Sequence, residues 1–230
     1  MAFLCREGVI SIVVPILNEE AQLPSLLGHL GCWRQQGCEV IFVDGGSHDR
    51  SVDLATRAGF MVVSAGAGRA VQMNIGAAVA TGTTLVFLHA DTRLPVDALQ
   101  RIRSAFDGGR CWGRFDVTIE GGASLLRCVS VLMNLRSRLT GIATGDQAIF
   151  VCRRTFERVG GFPAQQLMED IELSRRLLAI DRPVCIRSHA TTSGRRWEKH
   201  GVLRTIFMMW RLRLYYWLGA APQRLADRYQ

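Results

Sequence analysis

The 230-residue chain contains no run of about 18 uncharged apolar residues, so nothing in it reads as a helix that spans a bilayer. It has no Cys-x-x-Cys pair. Its seven cysteines, an odd number (Cys5, Cys32, Cys38, Cys111, Cys128, Cys152 and Cys185), suit separate and mostly buried thiols in a reducing compartment. There is no G-x-x-x-x-G-K-[ST] phosphate loop and no convincing dinucleotide fingerprint. No internal repeat, low-complexity tract or long linker breaks the chain. The short apolar N-terminal segment has neither a basic leader nor a cleavage site, which argues against a signal peptide and for a cytoplasmic location.

What is present points to one folded domain. Apolar residues make up 48% of a chain long enough for a substantial core. The formal net charge of +8 calls for an acidic partner: a phosphate-bearing ligand, an anionic membrane or a nucleic acid. The excess is local. Residues 187–230 hold nine Arg and Lys against two acids, a balance of +7.

The β-branched run "GVISIVVPIL" reads as a strand covered on both faces, and "NEEAQLPSLLGHLGCW" as a helix with Asn18 at its cap. "CEVIFVDGG" is a second strand, and "SHDRSVDLATRAG" a helix starting near Ser47 or Asp49. Phe60 to Ser64, a glycine-rich turn, the Ala-rich "AVQMNIGAAVA" and the strand "TTLVFLHA" follow. Four strands, each followed by a helix or turn, predict an α/β fold with a mostly parallel central sheet flanked by helices. Further on, "CWGRFDVTIEG" alternates like an edge strand, "SLLRCVSVLMNLRSRLTG" and "MEDIELSRRLLA" read as helices, and "GDQAIFVCRRTFERVGGFP" as strand, turn and short helix. A catalytic unit over residues 1–200 with a basic, aromatic helical extension over 201–230 is the expected organisation.

In such sheets ligands sit beyond the carboxyl ends of the strands. Asp44 stands at one such end, and His89 with Asp91 at another. An imidazole and a carboxylate at i and i+2 can share a divalent cation when phosphates complete its shell; a structural histidine beside a capping aspartate is the plainer reading. Asp44, before Gly45 and Gly46, suits a base or ribose, and Arg69 suits a diphosphate or plain solvent. Glu169 and Asp170 fit a helix's first turn and equally a general base. Residues 194–200, with Arg195, Arg196 and Trp197, form either a solvated charge run or a mobile loop closing over phosphates. Arginines and aromatics from Arg204 to Trp217 suit an anionic membrane interface, or a helix packed on the domain or on another copy in a homo-oligomer.

Together, "ISIVVPILNEE", "VIFVDGGSHDRS", "GRAVQMNIGAAVATGTTLVFLHADTRLP", "GDQAIFVCRRTFERVGGFP" and "LMEDIELSRRL" resemble family 2 glycosyltransferases, over roughly residues 9–200, and in particular a small bacterial branch. The resemblance implies the A-type nucleotide-diphospho-sugar transferase fold, a UDP- or GDP-sugar donor, a Mn²⁺ or Mg²⁺ cofactor and an inverting transfer. It assigns the donor to Pro15, Glu19, Asp44, Arg69, Asp91, Arg195, Arg196 and Trp197, the metal to Asp91 and His89, and the base to Asp170 with Glu169 beside it. His89 stands where many relatives have an aspartate. Arg196 and Trp197 resemble a reduced Gln-x-x-Arg-Trp motif without its glutamine, which implies one sugar per turnover. The acceptor stays open; a lipid-linked one near the inner face of the membrane fits the C-terminal composition.

Two other classes are weighed against this. A nucleotidyltransferase calls for a basic glycine-rich loop near the start, where "PILNEEAQL" is acidic. A nucleic-acid-binding module is permitted by charge, but no motif supports it, so no nucleic-acid partner is expected.

Overall fold

In the computed structural model, which describes residues 8–226, the chain forms one α/β unit. Its strands are β1 (Ile10–Ile16), β2 (Glu39–Asp44), β3 (Met61–Ser64), β4 (Thr84–Phe87), β5 (Thr92–Arg93), β6 (Trp112–Glu120), β7 (Phe150–Cys152) and β8 (Val184–Ser193). Its helices are α1 (Leu23–Gln35), α2 (Ser51–Arg57), α3 (Arg69–Val79), α4 (Ala98–Ala105), α5 (Leu125–Thr140), α6 (Arg153–Arg158), α7 (Glu169–Leu178), α8 (Arg195–His200), α9 (Val202–Trp217) and α10 (Pro222–Ala226). A single 3₁₀ turn, Gly145–Gln147, stands before β7.

One eight-stranded sheet runs in the order β3-β2-β1-β4-β7-β6-β8-β5. β3, β2, β1 and β4 are mutually parallel, as are β6 and β8, while β7 opposes β4 and β6, and β5 opposes β8. Continuous apolar runs make β1, β2 and β4 interior strands with a core on each face. Val14, Phe42, Val86 and Phe150 face α1 and α4; Val13, Ile41, Leu85 and Val151 face α3 and α7. Pro15 is tolerated in a central strand because β1–β4 pairing ends one turn of the pleat earlier, at Val13–Phe87.

β5 follows β4 by only four residues, yet it pairs at the far edge of the sheet. Four inter-strand steps of a flat sheet cover about 19 Å, close to the full reach of that link. The sheet therefore curls, and a register shift between Phe115 and Asp116 marks the bend in the β6–β8 ladder. The curl brings Ser193 N to Asp91 O at 3.2 Å.

Several local expectations are corrected. Asn18 does not cap a helix: its backbone is left-handed (φ 54°), and α1 begins at Leu23 with a proline in its first turn. Of the two expected starts for α2, Asp49 is the nearer: the helix begins at Ser51, whose N–H donates to Asp49 Oδ1 at 2.9 Å, and Ser47 lies before it. β6 is not an edge strand. It lies between β7 and β8, and its charged Arg114 and Asp116 are buried, paired with each other and with Arg138 of α5. β5 and β8 were not foreseen. The cysteines are not uniformly separate and buried: Cys32 and Cys128 are exposed, and Cys152 is disulfide-bonded.

His29 of α1 fastens the segment after β5. Its Nε2 accepts hydrogen bonds from Trp33 Nε1 and from Leu94 N, both at 3.1 Å. Burial, aided by the Arg93 charge, pulls the imidazole down to about 4. The folded chain thus holds His29 neutral, and its contribution to stability is full above the ordinary histidine pKa of about 6.5 and is lost as pH falls toward 4. Thermal unfolding followed by circular dichroism between pH 7 and pH 4 should show falling Tm, with a shallower fall in His29→Gln, which keeps an acceptor but does not titrate. Parallel slopes in the two proteins would remove His29 from that acid response.

Candidate active site

The carboxyl ends of β1, β2 and β4 open on one side of the sheet, and the loops leaving them are knitted together by short polar side chains. Asn18 N donates to Ser47 Oγ, Glu19 N to Ser51 Oγ and Glu20 N to Asp49 Oδ2, while His48 N donates to Asn18 Oδ1. Asp44 ends β2 almost fully buried, its carboxylate accepting Gly46 N at 3.0 Å and Ser47 N at 3.1 Å. Those bonds fix the plane of the carboxylate at the floor of the opening. Behind it, buried Gln72 of α3 donates to Ile16 O and Val43 O at 2.9 and 2.7 Å, satisfying two strand ends at once. A Cβ on Gly45 would come within 3.0 Å of that amide, so glycine is needed for the approach.

The link from β4 to β5 carries His89 and Asp91. A third acidic side chain joins them that was not anticipated: Asp146, on the 3₁₀ turn. One ligand atom from each of His89, Asp91 and Asp146 lies within 4.8 Å of the others. His89 Nδ1 is 3.4 Å from Asp146 Oδ1. Burial disfavours the imidazolium, but the Asp146 carboxylate, with Asp91 adding to it, outweighs burial and raises the His89 pKa. Burial likewise favours the protonated form of Asp146, but His89 prevails and holds its carboxyl below the usual range. One imidazole nitrogen and two carboxylate oxygens are a donor set that fits Mn²⁺, and also Mg²⁺.

The turn that presents Asp146 is held from two directions. Asp170 Oδ2 accepts Gly145 N at 2.9 Å, and Gln147, fully buried, donates to Asn134 Oδ1 and accepts Thr144 N. The Cε1–Nε2 edge of the His89 ring abuts Gly145: a Cβ there would fall 2.2 Å from Cε1 and 2.3 Å from Nε2. Any side chain at 145 must therefore displace His89.

Glu169 and Asp170 open α7. Glu169 is 4% exposed and faces Arg69, with Nε–Oε1 at 3.7 Å. Burial pushes its carboxyl up, the Asp170 charge pushes the same way, and Arg69 opposes both. Asp170 is less enclosed, and its Oδ1 accepts Ile171 N at 2.7 Å. Glu19 lies at the mouth, 3.9 Å from Arg195 Nη2; burial raises its pKa against the pull of Arg195, and Asp91 adds to the rise. Residues 195–200 form a helix, α8, with Arg195 and Arg196 exposed. Trp197 is half-buried and packs with Ile119, Leu126 and Val129.

Non-glycine residues with left-handed backbone (Asn18, Ala148 and Met168) are confined, among the described residues, to positions one or two removed from Glu19, Asp146 and Glu169. Such conformations cost about 1–3 kcal/mol each and persist where surrounding contacts hold them. Met168 is clamped by α9, whose Leu212, Met208, Tyr215 and Tyr216 pack with Leu167 and Met168. The opposite face of α9 exposes Leu203, Phe207, Trp210, Leu214 and Trp217 at helical spacing.

Gly145→Ala should weaken Mn²⁺ binding by roughly tenfold or more, because it moves His89 without removing a ligand. Calorimetric titration of Mn²⁺ into both proteins measures this; equal affinities would mean that His89 takes no part in the metal site.

Comparison with known proteins agrees with this geometry. A family model described as "Glycosyl transferase family 2" matches residues 11–159, well over half of the chain. An undecaprenyl-phosphate 4-deoxy-4-formamido-L-arabinose transferase of Pseudomonas fluorescens is 32% identical over 154 residues, covering 60% of this chain and 44% of that protein. The chain thus spans less than half the length of that relative. Among solved structures, the mannosyltransferase PcManGT of Pyrobaculum calidifontis, in complex with GDP-Man and Mn²⁺, superposes with a TM-score of 0.66 at 19% identity over 96% of this chain and 67% of that one. S. aureus TarS 1-349, in complex with UDP-GlcNAc, gives 0.67 at 16% over 80% and 58%. These two likenesses establish the shared fold. With the sheet order, the site at its carboxyl edge and the family match in agreement, the chain belongs to glycosyl transferase family 2.

Proposed function

We propose that this protein is an inverting glycosyltransferase that moves one sugar from a UDP- or GDP-sugar to an acceptor hydroxyl. One observation carries the reading: the His89–Asp91–Asp146 donor set and the Glu169–Asp170 pair converge beyond the carboxyl ends of the parallel strands of one mixed sheet. Residues 1–200 constitute the catalytic unit in this reading, and 201–230 an extension whose described helices pack on Leu167 and Met168.

Asp44 receives the base or ribose of the donor, with Pro15 and Glu19 lining the same opening. Arg69, Arg195 and Arg196 offset diphosphate charge, and Glu169 holds Arg69 in place. His89, Asp91 and Asp146 hold a divalent cation, which when bound supplies Lewis-acid stabilisation of the nucleoside diphosphate as it leaves. Asp170 is the general base. The backbone N–H groups of Gly145 and Ile171 each occupy one lone pair of its carboxylate, which orients it and leaves acceptor capacity on each oxygen. The carboxylate takes the proton of the acceptor hydroxyl as that oxygen bonds to the anomeric carbon and the bond to the diphosphate breaks. Attack opposite the leaving group inverts the configuration. The GDP-Man and Mn²⁺ of the Pyrobaculum structure and the UDP-GlcNAc of the TarS structure support the donor classes.

The exposed apolar face of α9, flanked by exposed Arg204 and Arg211, supports a contact between this side of the protein and an anionic membrane surface. No helix among the described residues is long and apolar enough to cross a membrane, so the contact is peripheral. The undecaprenyl-phosphate in the name of the Pseudomonas relative supports a lipid-linked acceptor. In cosedimentation with phosphatidylglycerol vesicles, Trp210→Ser with Trp217→Ser should reduce the bound fraction severalfold; unchanged binding would detach α9 from the membrane reading.

Titration of UDP and GDP, each with and without Mn²⁺, tests the donor site. One nucleotide should bind in a metal-dependent manner, and Asp91→Ala and Asp146→Ala should each weaken it by roughly tenfold or more. Failure of both nucleotides to bind the folded wild-type protein would overturn the assignment. Asp170→Asn should retain nucleotide binding while release of nucleoside diphosphate from the sugar donor slows by about 10²–10⁴-fold. Pyrophosphate as product from a nucleoside triphosphate would indicate a nucleotidyltransferase instead.

A further inference from the structure

The ligand set His89, Asp91 and Asp146 differs from an all-oxygen set by its imidazole and from a pair by its third member. The Cε1–Nε2 edge of the ring abuts Gly145, so Nδ1 is the nitrogen left to face the carboxylates, and it lies 3.4 Å from Asp146 Oδ1. Two ligand atoms each about 2.1 Å from one ion stand roughly 3 Å apart when they are neighbours in its shell. The observed spacing is close to that. An imidazolium answers one carboxylate, whereas two converge here. Carboxylates this near one another repel, and a divalent cation answers both.

Contacts that need no ligand hold all three in place. His89 O accepts Thr92 N at 3.0 Å and Asp91 O accepts Ser193 N at 3.2 Å, which fastens the link between β4 and β5. Thr92 Oγ1 donates to Thr192 Oγ1 at 3.1 Å and ties β5 to β8 at the same point. The turn that carries Asp146 is closed by Ala148 N on Gly145 O at 3.1 Å and anchored by Asp170 on Gly145 N. The His89 side chain is only 14% exposed. Side chains so far assembled give up little freedom when an ion arrives. An imidazole nitrogen adds affinity for first-row transition ions, in an order that rises from Mn²⁺ to Co²⁺ and beyond. Mg²⁺ favours oxygen ligands and gives up its waters reluctantly.

We propose that His89, Asp91 and Asp146 form a resident site for a first-row transition ion such as Mn²⁺ or Co²⁺, which fills before the nucleotide binds and discriminates against Mg²⁺ through the His89 imidazole. The role of the ion at a diphosphate rests on the transferase reading; its retention and selectivity rest on the three side chains alone. Asp146 supplies the third protein ligand, so phosphate oxygens are not needed to hold the ion. His89 sets the preference among ions. The metal-loaded chain is then the form that meets the donor, in place of a free chain that takes up a nucleotide–metal complex.

The nucleotide-free full chain, first stripped with chelator, would be titrated calorimetrically with Mn²⁺, Co²⁺ and Mg²⁺, each alone. Mn²⁺ and Co²⁺ should bind with one-to-one stoichiometry, Co²⁺ the tighter, and Mg²⁺ roughly a hundredfold more weakly than Co²⁺. Pulsed electron paramagnetic resonance of the bound Mn²⁺ should show a directly coordinated nitrogen, a readout that needs no variant. His89→Asp should abolish that nitrogen signal and reduce the preference for Co²⁺ over Mg²⁺ by roughly tenfold or more. Asp146→Asn should weaken Mn²⁺ more in the absence of nucleotide than in its presence, with circular dichroism reporting the fold of both variants. Mn²⁺ that binds only when UDP or GDP is present would overturn the resident site and leave the transferase reading intact. Mg²⁺ bound as tightly as Co²⁺, or bound Mn²⁺ without a nitrogen ligand, would overturn the selectivity assigned to His89. If the ions bind as expected and neither nucleotide binds the loaded chain, the transferase reading falls and the metal site stands.

Discussion

The hydrogen bond from Gly145 N to Asp170 Oδ2 joins two parts of the site that reach it along separate stretches of chain. On one side it fixes the 3₁₀ turn, and hence Asp146 and the surface on which the His89 ring rests. On the other it sets the orientation of the carboxylate assigned to deprotonate the acceptor. A displacement of α7 therefore moves the metal ligands, and a displacement of the turn moves the base. Charged acceptors are held more strongly by such bonds than neutral ones, so an ionised Asp170 also tightens the turn.

Around this bond the protein places support that contributes no group to the proposed chemistry. Asn134 exchanges hydrogen bonds with the backbone of Val117 and receives one from Gln147, so β6, α5 and the turn are tied through one amide. Buried Arg114 and Asp116, with half-buried Arg138, stiffen the same corner with charges that would be costly if the buried pair lost a partner. From the other side α9 packs on Met168, whose left-handed backbone turns the chain into α7. Helix α9 is thus part of the framework that aims Glu169 and Asp170, in addition to exposing an apolar face.

The fold was largely legible where burial is two-sided. The runs at β1, β2 and β4 are apolar without interruption, and the carboxylates after them mark the functional edge. Legibility failed where tertiary pairing reverses the meaning of a residue. Arg114 and Asp116 look like the solvent side of an edge strand, yet both are buried in an ionic cluster. β8 escaped notice because its exposure follows no clean alternation and it is sandwiched between two strands distant in sequence. Asp146 carried no signal in "ATGDQAIF"; only the folded turn brings it to His89. Trp197 resembles a donor-motif residue, and its packing against α5 is a contact that the sequence pattern did not reveal.

The four residues that separate β4 from β5 bridge strands at the middle and the far edge of a curled sheet. Such a bridge is close to taut. Its length is set by the curvature of the sheet, and the curvature in turn is held by the bridge. His89 and Asp91 ride on it, so their spacing is dictated by the closure of the sheet as much as by the ion they are assigned to hold. A residue added to or removed from this segment would have to be taken up by the curl of the whole sheet, so it acts as a strut of fixed span.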